Sequence, residues 1–418
     1  MSNIINQDHK KKIRQLVSEK TVTQNAAAVK LTEQDNHNAY KFQTMAIHAG
    51  IDPLKQSGAI VTPIYQSTNY VFEAVGQPRE FEYARCGNPT RKALEDNLSA
   101  LENGVFCTAL ATGQAAELTI LNILKTGDHI ICGNDVYGGT IRLLNHIEQT
   151  NGIKVTYIPM TDPERVTQEI LPETKAIWVE TPSNPLFNIV DISSIADIAG
   201  NNGLLTIVDN TILTPYFQQP LNLGADIVIH SATKYLSGHN DGLGGAVICK
   251  HEHHAEKFSF IANALGAVLG AFDAWLILRG IKTLAVRMRE QQKSALEIAH
   301  FLHQHPQVSD VYFPGLPDHP QYELIKKQCS GYGGMLSFKV EGGFEKAKKV
   351  AENTKLFFLT ESFGGVESLI QHPQTMSHAS ISPHAQKEAG ITDNLLRISI
   401  GLEDVEDLIN DLDRALTL

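Results

Sequence analysis

The chain lacks the long apolar runs, basic stripes and paired cysteines that would commit it to a membrane, a nucleic acid or an oxidising compartment. Nowhere in its 418 residues does an apolar run approach the roughly 20 that cross a bilayer, so no membrane passage is expected. Lysine and arginine total 35 against 46 acids, a net charge of −11, which makes nucleic acid an unexpected partner. The five cysteines, Cys86, Cys107, Cys132, Cys249 and Cys329, carry no C-x-x-C spacing. That excludes a zinc ribbon or a disulfide framework and predicts reduced thiols in the cytoplasm. His251-Glu252-His253-His254 has metal-binding residue types, but Ala255 stands where H-E-x-x-H requires its second histidine, so no metal is expected. Repeats and low-complexity tracts are also missing, and no G-x-G-x-x-G follows an early strand, which argues against a dinucleotide-binding fold.

What is present suits a protein with substantial cores, at 42% hydrophobic residues. Residues 1–40 are polar, place Lys10-Lys11-Lys12 near several acids, and show neither the apolar core nor the cleavage site of a secretory signal. Transit peptides avoid acids such as Asp8, Glu19, Glu33 and Asp35, so this segment is expected to be a flexible or docking arm. From about residue 94 to 261, helical patterns alternate with short β-branched runs at 129–132, 154–158 and 176–179. Such alternation predicts an α/β fold with a mainly parallel sheet covered by helices. Leu276, Leu278, Leu284 and Leu296 predict one long helix over 274–303, bridging to a smaller α+β C-terminal domain. The expected division is an arm at 1–40, an N-terminal segment at 41–100, a large domain at 101–285 and a small domain at 286–418.

The run 225–230 reads as a buried parallel strand, so Lys234, within Ser231-Ala232-Thr233-Lys234-Tyr235, falls in the loop past its carboxyl end, where open α/β sheets bind ligands. A second such run, 204–208, ends on Asp209. An amine beside an acid suits pyridoxal phosphate, which needs a lysine to hold its aldehyde as an imine and an anion to keep its pyridine nitrogen protonated. The lysine must lose its proton near neutral pH although its ordinary pKa is about 10.4, which burial and a cationic neighbour achieve. Gly113 and Gln114 open a helix whose N–H groups suit the phosphate, Ser231 and Thr233 offer hydroxyls, and Tyr137 offers a ring for stacking. Each residue alone has an ordinary reading as a turn, cap or surface side chain; their joint order carries the inference.

From about residue 42 onward the chain resembles the cysteine and methionine metabolism family of fold-type I pyridoxal phosphate enzymes, in particular its cystathionine γ-synthases and γ-lyases. The strings that carry the likeness are Tyr83-Ala84-Arg85, Gly87-Asn88-Pro89-Thr90-Arg91, Asp135-Val136-Tyr137-Gly138, Glu180-Thr181-Pro182-Ser183-Asn184-Pro185, the lysine loop, Glu361-Ser362-Phe363-Gly364-Gly365 and Leu396-Arg397-Ile398-Ser399. The resemblance implies that Lys234 holds the cofactor and shuttles protons, that Asp209 pairs with the pyridine nitrogen and that Tyr137 stacks on the ring. By the same likeness Gly113, Gln114, Ser231 and Thr233 hold the phosphate, joined by Tyr83 and Arg85 of the 41–100 segment from a neighbouring subunit of a homotetramer. Arg397 is then the clamp for a substrate carboxylate, helped by Asn184 and Ser362, while Glu361 and Glu82 face a distal ammonium near Arg142.

The implied chemistry lies at the γ carbon of a homoserine-derived amino acid. It is either replacement, joining O-acyl-L-homoserine to L-cysteine as L-cystathionine, or elimination, opening cystathionine to cysteine, 2-oxobutanoate and ammonia. Gly270-Ala271-Phe272-Asp273 and Gln114 resemble acyl-homoserine enzymes and favour replacement, whereas Phe81-Glu82-Tyr83 resembles γ-lyases. An O-acetylhomoserine sulfhydrylase and a β-lyase are disfavoured, the latter because β-lyases commonly carry an aromatic where Glu361 stands. A non-catalytic cofactor-binding regulator is disfavoured by the intact Lys234, Asp209, Tyr137 and Arg397.

Overall fold

Short β-branched runs through the middle of the chain become strands buried on both faces, which is why they read as continuous apolar segments rather than alternating ones. In the computed structural model, which describes residues 40–53 and 56–418, these are β1 (Phe106–Leu110), β2 (His129–Gly133), β3 (Lys154–Ile158), β4 (Thr174–Glu180), β5 (Leu205–Asp209), β6 (Ile227–Ser231) and β7 (Gly245–Cys249). The arm expected at 1–40 lies, apart from Tyr40, outside the described residues. The strands form one seven-stranded sheet in the order β1-β7-β6-β5-β4-β2-β3. Neighbours from β3 to β6 are parallel, and β7 runs against both β6 and β1. Side chains alternate between two cores: Ile130, Trp178, Ile207 and Ile229 face one layer of helices, while Ile131, Ile177, Val208 and Val228 face the other.

A second sheet follows, with β8 (Val308–Tyr312), β9 (Met335–Val340), β10 (Phe358–Leu359), β11 (Leu369–Gln371) and β12 (Leu395–Ser399) in the order β10-β11-β12-β9-β8. Leu336, Phe338, Ile370, Leu396 and Ile398 pack beneath the helices Leu284–Gln304, Gly343–Asn353 and Val405–Thr417. The period of two along β12 therefore turns Arg397 to the opposite face. The fold is thus α/β with a mostly parallel central sheet and a smaller mixed unit, as the alternation of patterns predicted.

One expected element differs. The single helix predicted over 274–303 is two, Ala271–Ile281 and Leu284–Gln304. Thr283 ends the first: its backbone N–H and its hydroxyl both donate to the Gly280 carbonyl, at 3.1 and 3.0 Å, and its own carbonyl then accepts from Arg287 N–H at 3.0 Å. A threonine hydroxyl competing for a helix carbonyl leaves no mark on the leucine periodicity. Among the described residues, no helix is long and apolar enough to cross a membrane.

Strand β7 also sets the height of the next helix. A Cβ on Gly245 would run into the Thr112 carbonyl and approach Gly113 N at 2.9 Å. Gly245→Ala is expected to destabilise the protein by about 1–3 kcal/mol, whereas Gly200→Ala, with nothing within 4 Å of the new carbon, should leave stability unchanged or slightly raised. Thermal melts of the two variants beside the parent make the comparison.

Candidate active site

Parallel strands end on the same edge of a sheet, so β4, β5 and β6 deliver Glu180, Asp209 and Ser231 side by side. They border a cavity of about 290 Å³ that also collects Gly113, Gln114, Tyr137, Asn184, Thr233, Lys234, Glu361, Ser362 and Arg397. Two distant parts of the chain meet here, the loops after the large-sheet strands and the 361–363 loop with β12 of the small sheet.

Lys234 hangs in a turn in which its N–H donates to Ser231 O at 3.2 Å and its carbonyl accepts from Gly238 N–H at 2.8 Å. Its Nζ donates to Ser362 Oγ at 2.6 Å and stands 4.9 Å from the centre of the Phe363 ring. Burial, then the charge of Arg397, bring its pKa down to about 8, with Glu361 pulling the other way. Ser362 has φ +86°, a region unfavourable for a residue with a Cβ, at a cost of about 1–3 kcal/mol. Its carbonyl accepts from Arg397 Nη2 at 2.7 Å, which helps to hold that conformation. Arg397 is 3% exposed and donates from Nη1 to Asn184 Oδ1 at 2.9 Å. With its oxygen turned to the guanidinium, the Gln371 amide accepts from all three Arg397 nitrogens at 2.9, 3.0 and 3.1 Å.

Acids crowd the other side. Asp209 accepts at Oδ1 from Thr211 N–H at 2.9 Å, and its withdrawal from bulk solvent raises its pKa despite that bond. Glu180 Oε2 accepts from Tyr137 N–H at 2.7 Å, and burial together with Asp209 lifts Glu180 well above the carboxylate range. Glu117 accepts from the Thr140 hydroxyl and from Gln114 Nε2, both at 2.9 Å, and the same two causes push its pKa up to about 8. Burial thus raises all three acids, and Asp209 raises Glu117 and Glu180 further.

One end of the cavity offers backbone N–H groups. Thr112 caps the helix Gly113–Leu121 by accepting from Ala115 N–H at 3.0 Å, which leaves the Gly113 and Gln114 N–H groups ahead of the first helical bonds. A Cβ on Gly113 would meet Ser231 Cβ at 3.0 Å and Oγ at 3.2 Å, so glycine keeps a hollow open there. The Gln114 side chain is turned to Glu117, and the Thr233 hydroxyl is engaged with Gly244, donating to its carbonyl at 3.2 Å and accepting from its N–H at 3.1 Å. Tyr137, 38% exposed, precedes the helix Gly138–Asn151, and a Cβ on Gly139 would strike its ring.

Not every expected residue comes to this cavity within one chain. Glu82 and Arg85 border a separate groove of about 480 Å³, where Arg85 Nε donates to Asn263 Oδ1 at 2.8 Å and its guanidinium lies 5.3 Å from the Tyr83 ring centre. Arg142 lies outside the cavity lining, with Nη1 3.4 Å from Ser380 Oγ. Glu117, Glu180, Gln371 and Phe363 were not singled out from the sequence. Glu180 had a usable signal, since it ends an apolar strand as Asp209 does, and Glu117 sits one helical turn beyond Gly113. Among the described residues, no cluster of His, Cys, Asp or Glu is placed to hold a metal ion.

A family profile described as Cys/Met metabolism PLP-dependent enzyme matches residues 43–417. The chain is similar to the cystathionine γ-lyase of Bacillus subtilis, 47% identical over 90% of this chain and 99% of that protein. It is equally similar to the cystathionine β-lyase of Lactococcus lactis subsp. cremoris, 47% identical over 90% of this chain and 98% of that one. The crystal structure of cystathionine γ-synthase from Xanthomonas oryzae pv. oryzae, in complex with aminoacrylate and cysteine, superposes with a TM-score of 0.88 at 42% identity, covering 91% of this chain and 98% of the other.

An amine attacks an aldehyde only when neutral, so the rate at which pyridoxal phosphate recombines with the apoprotein should rise through about pH 8 and level off above it. Borohydride-fixed absorbance follows the reaction. Lys234→Ala should fix none, and a midpoint above 10 in the parent would contradict the influence of burial and Arg397 on the amine.

Proposed function

Because the chain belongs to the Cys/Met metabolism PLP-dependent enzymes, we propose that it works at the γ carbon of a homoserine-derived amino acid, joining an O-acyl-L-homoserine to L-cysteine to give L-cystathionine. The observation that carries this reading is the Lys234 amine, lowered to about 8 and held 2.6 Å from Ser362 Oγ, in one cavity with Asp209 and Arg397. One proton carrier thereby shares a chamber with an acid for the cofactor ring and a clamp for a substrate carboxylate.

The residues present fit pyridoxal phosphate. The hollow beside Gly113 and the open N–H groups of Gly113 and Gln114 suit its phosphate, with Ser231 adjacent; Asp209 suits its pyridine nitrogen, Tyr137 its ring face and Lys234 its aldehyde. When bound, the cofactor supplies a sink for the electron pair left on carbon as a proton departs. Arg397, oriented by Asn184, Ser362 and Gln371, holds the substrate α-carboxylate bidentately. Lys234 carries one proton at a time: it would take the α proton and pass it to the bound cofactor before taking the β proton. The acyl group would leave the γ carbon as a carboxylate, cysteine would add there as a thiolate with its own proton released to solvent, and Lys234 would then return the β and the α proton in turn. Tyr83, Arg85 and Glu82 complete the site from a neighbouring subunit of a homotetramer; that Glu82 and Arg85 border a separate groove within one chain supports that placement. Five free thiols fit a reducing compartment, the cytoplasm.

Replacement is favoured over elimination by the likeness of Gly270-Ala271-Phe272-Asp273 and Gln114 to acyl-homoserine enzymes; a second hollow of about 670 Å³, which shares Thr233, Leu243, Glu361 and Ser362 with the cavity and carries Asp273, adjoins it. It offers room and acidic groups for the ammonium of a second amino acid. Cleavage of cystathionine to cysteine, 2-oxobutanoate and ammonia is the alternative, motivated by the likeness to the Bacillus subtilis γ-lyase.

Incubation with O-acetyl- or O-succinyl-L-homoserine plus cysteine is expected to yield cystathionine by mass spectrometry; 2-oxobutanoate released from cystathionine, with no cystathionine formed, would shift the assignment to the lyase. Arg397→Lys retains the charge but loses the planar fork, so kcat/KM should fall about tenfold to a hundredfold, mainly through KM. Steady-state kinetics over substrate concentration separates the two parameters.

A further inference from the structure

Glu102 and His230 are both fully buried, yet they touch nothing in the cavity. His230 Nε2 lies 2.6 Å from Glu102 Oε1, and the same oxygen accepts from Asn210 Nδ2 at 2.8 Å. Asn210 also donates to Gln218 O at 2.8 Å and accepts at Oδ1 from Gln218 Nε2 at 3.0 Å. Alternation along β6 places His230 on the face opposite Ile229 and Ser231, which line the cavity, so the pair lies beneath the cavity floor.

Short bonds cross that floor. Asn210 N–H donates to Ile229 O at 3.0 Å, Thr211 N–H to Asp209 Oδ1 at 2.9 Å, and Ser231 N–H to Thr211 Oγ1 at 2.9 Å. Apolar side chains of similar volume would pack this position at least as stably, since burying ionisable groups carries a large desolvation cost. Glu102 Oε2 and His230 Nδ1 moreover find no hydrogen-bond partner among the described residues, an arrangement that packing alone does not explain.

We propose that Glu102 and His230 are positioning residues that hold the 209–211 turn against β6 from beneath the sheet and so aim the Asp209 carboxylate at the cofactor's pyridine nitrogen. The inference rests on the assignment of Asp209 made above. Asp209 is faced by Glu180 from β4 and by Glu117 from the helix Gly113–Leu121, whose own acidity it weakens.

The test uses the full chain loaded with pyridine-15N pyridoxal phosphate. Glu102→Gln, which keeps an oxygen that accepts from His230 and Asn210, is the control expected to stay parental; the test variants are Glu102→Leu and His230→Leu, which remove that oxygen and its donor at similar volume. Both should move the ring-nitrogen 15N shift toward the unprotonated value and weaken cofactor binding in equilibrium dialysis about threefold to tenfold, the size of one hydrogen bond. Parental 15N shift and parental cofactor affinity in Glu102→Leu would overturn the proposal, whatever its melting temperature. A parent whose ring nitrogen is unprotonated, or unaffected by Asp209→Asn, would instead count against the role given to Asp209.

Discussion

Two cations share one chamber withdrawn from bulk water, and the rest of the site follows from that constraint. Lys234 and Arg397 each lose hydration there, and the guanidinium disfavours the charge of the amine. The guanidinium, although lowered to about 10, remains charged at neutral pH; the amine, at about 8, does not hold its proton as firmly. The difference arises from chemistry, because a guanidinium begins higher and is held by Asn184, Ser362 and Gln371, whereas the amine has a single short bond to Ser362.

Acids are sorted by the same enclosure. Burial raises Glu117, Glu180 and Asp209 together, and three adjacent carboxyls cannot all be ionised at low dielectric. Asp209 receives the Thr211 N–H, which lowers its pKa against that burial, and its charge raises both Glu117 and Glu180. Glu180 and Glu117 serve geometry, one fixing the Tyr137 backbone and the other tying the phosphate-end helix to Thr140. The unfavourable backbone of Ser362 belongs to the same design: its hydroxyl meets Lys234 while its carbonyl meets Arg397, a pairing that ordinary strand geometry would not provide.

Much of this was legible in the order of residues. The strands ending at Asp209 and Ser231 announced themselves as apolar, β-branched runs, and once their parallel pairing is granted, Lys234 must fall at the ligand-binding edge. The helix start at Gly113 was equally plain. Thr283 was not, because its hydroxyl breaks a helix without disturbing the leucine spacing, so two helices read as one. Glu117 escaped because an acid inside a helix looks like surface until the neighbouring element is known, and Gln371 because the three-residue β11 carries too little pattern to place it, whereas Glu180 did carry a signal at the end of an apolar strand.

Composition and strand pattern by themselves determined the α/β class and set Lys234 and Asp209 at strand ends, because these depend on local periodicity, whereas Arg397 was marked only by the family resemblance. Tertiary structure alone decided that Arg397, 163 positions beyond Lys234 in the sequence, lowers its pKa, that Gln371 braces the guanidinium, and that Glu102 and His230 meet beneath Asp209. Those relations are set by distance and dielectric, and neither exists until the two sheets and their helices have closed on one another.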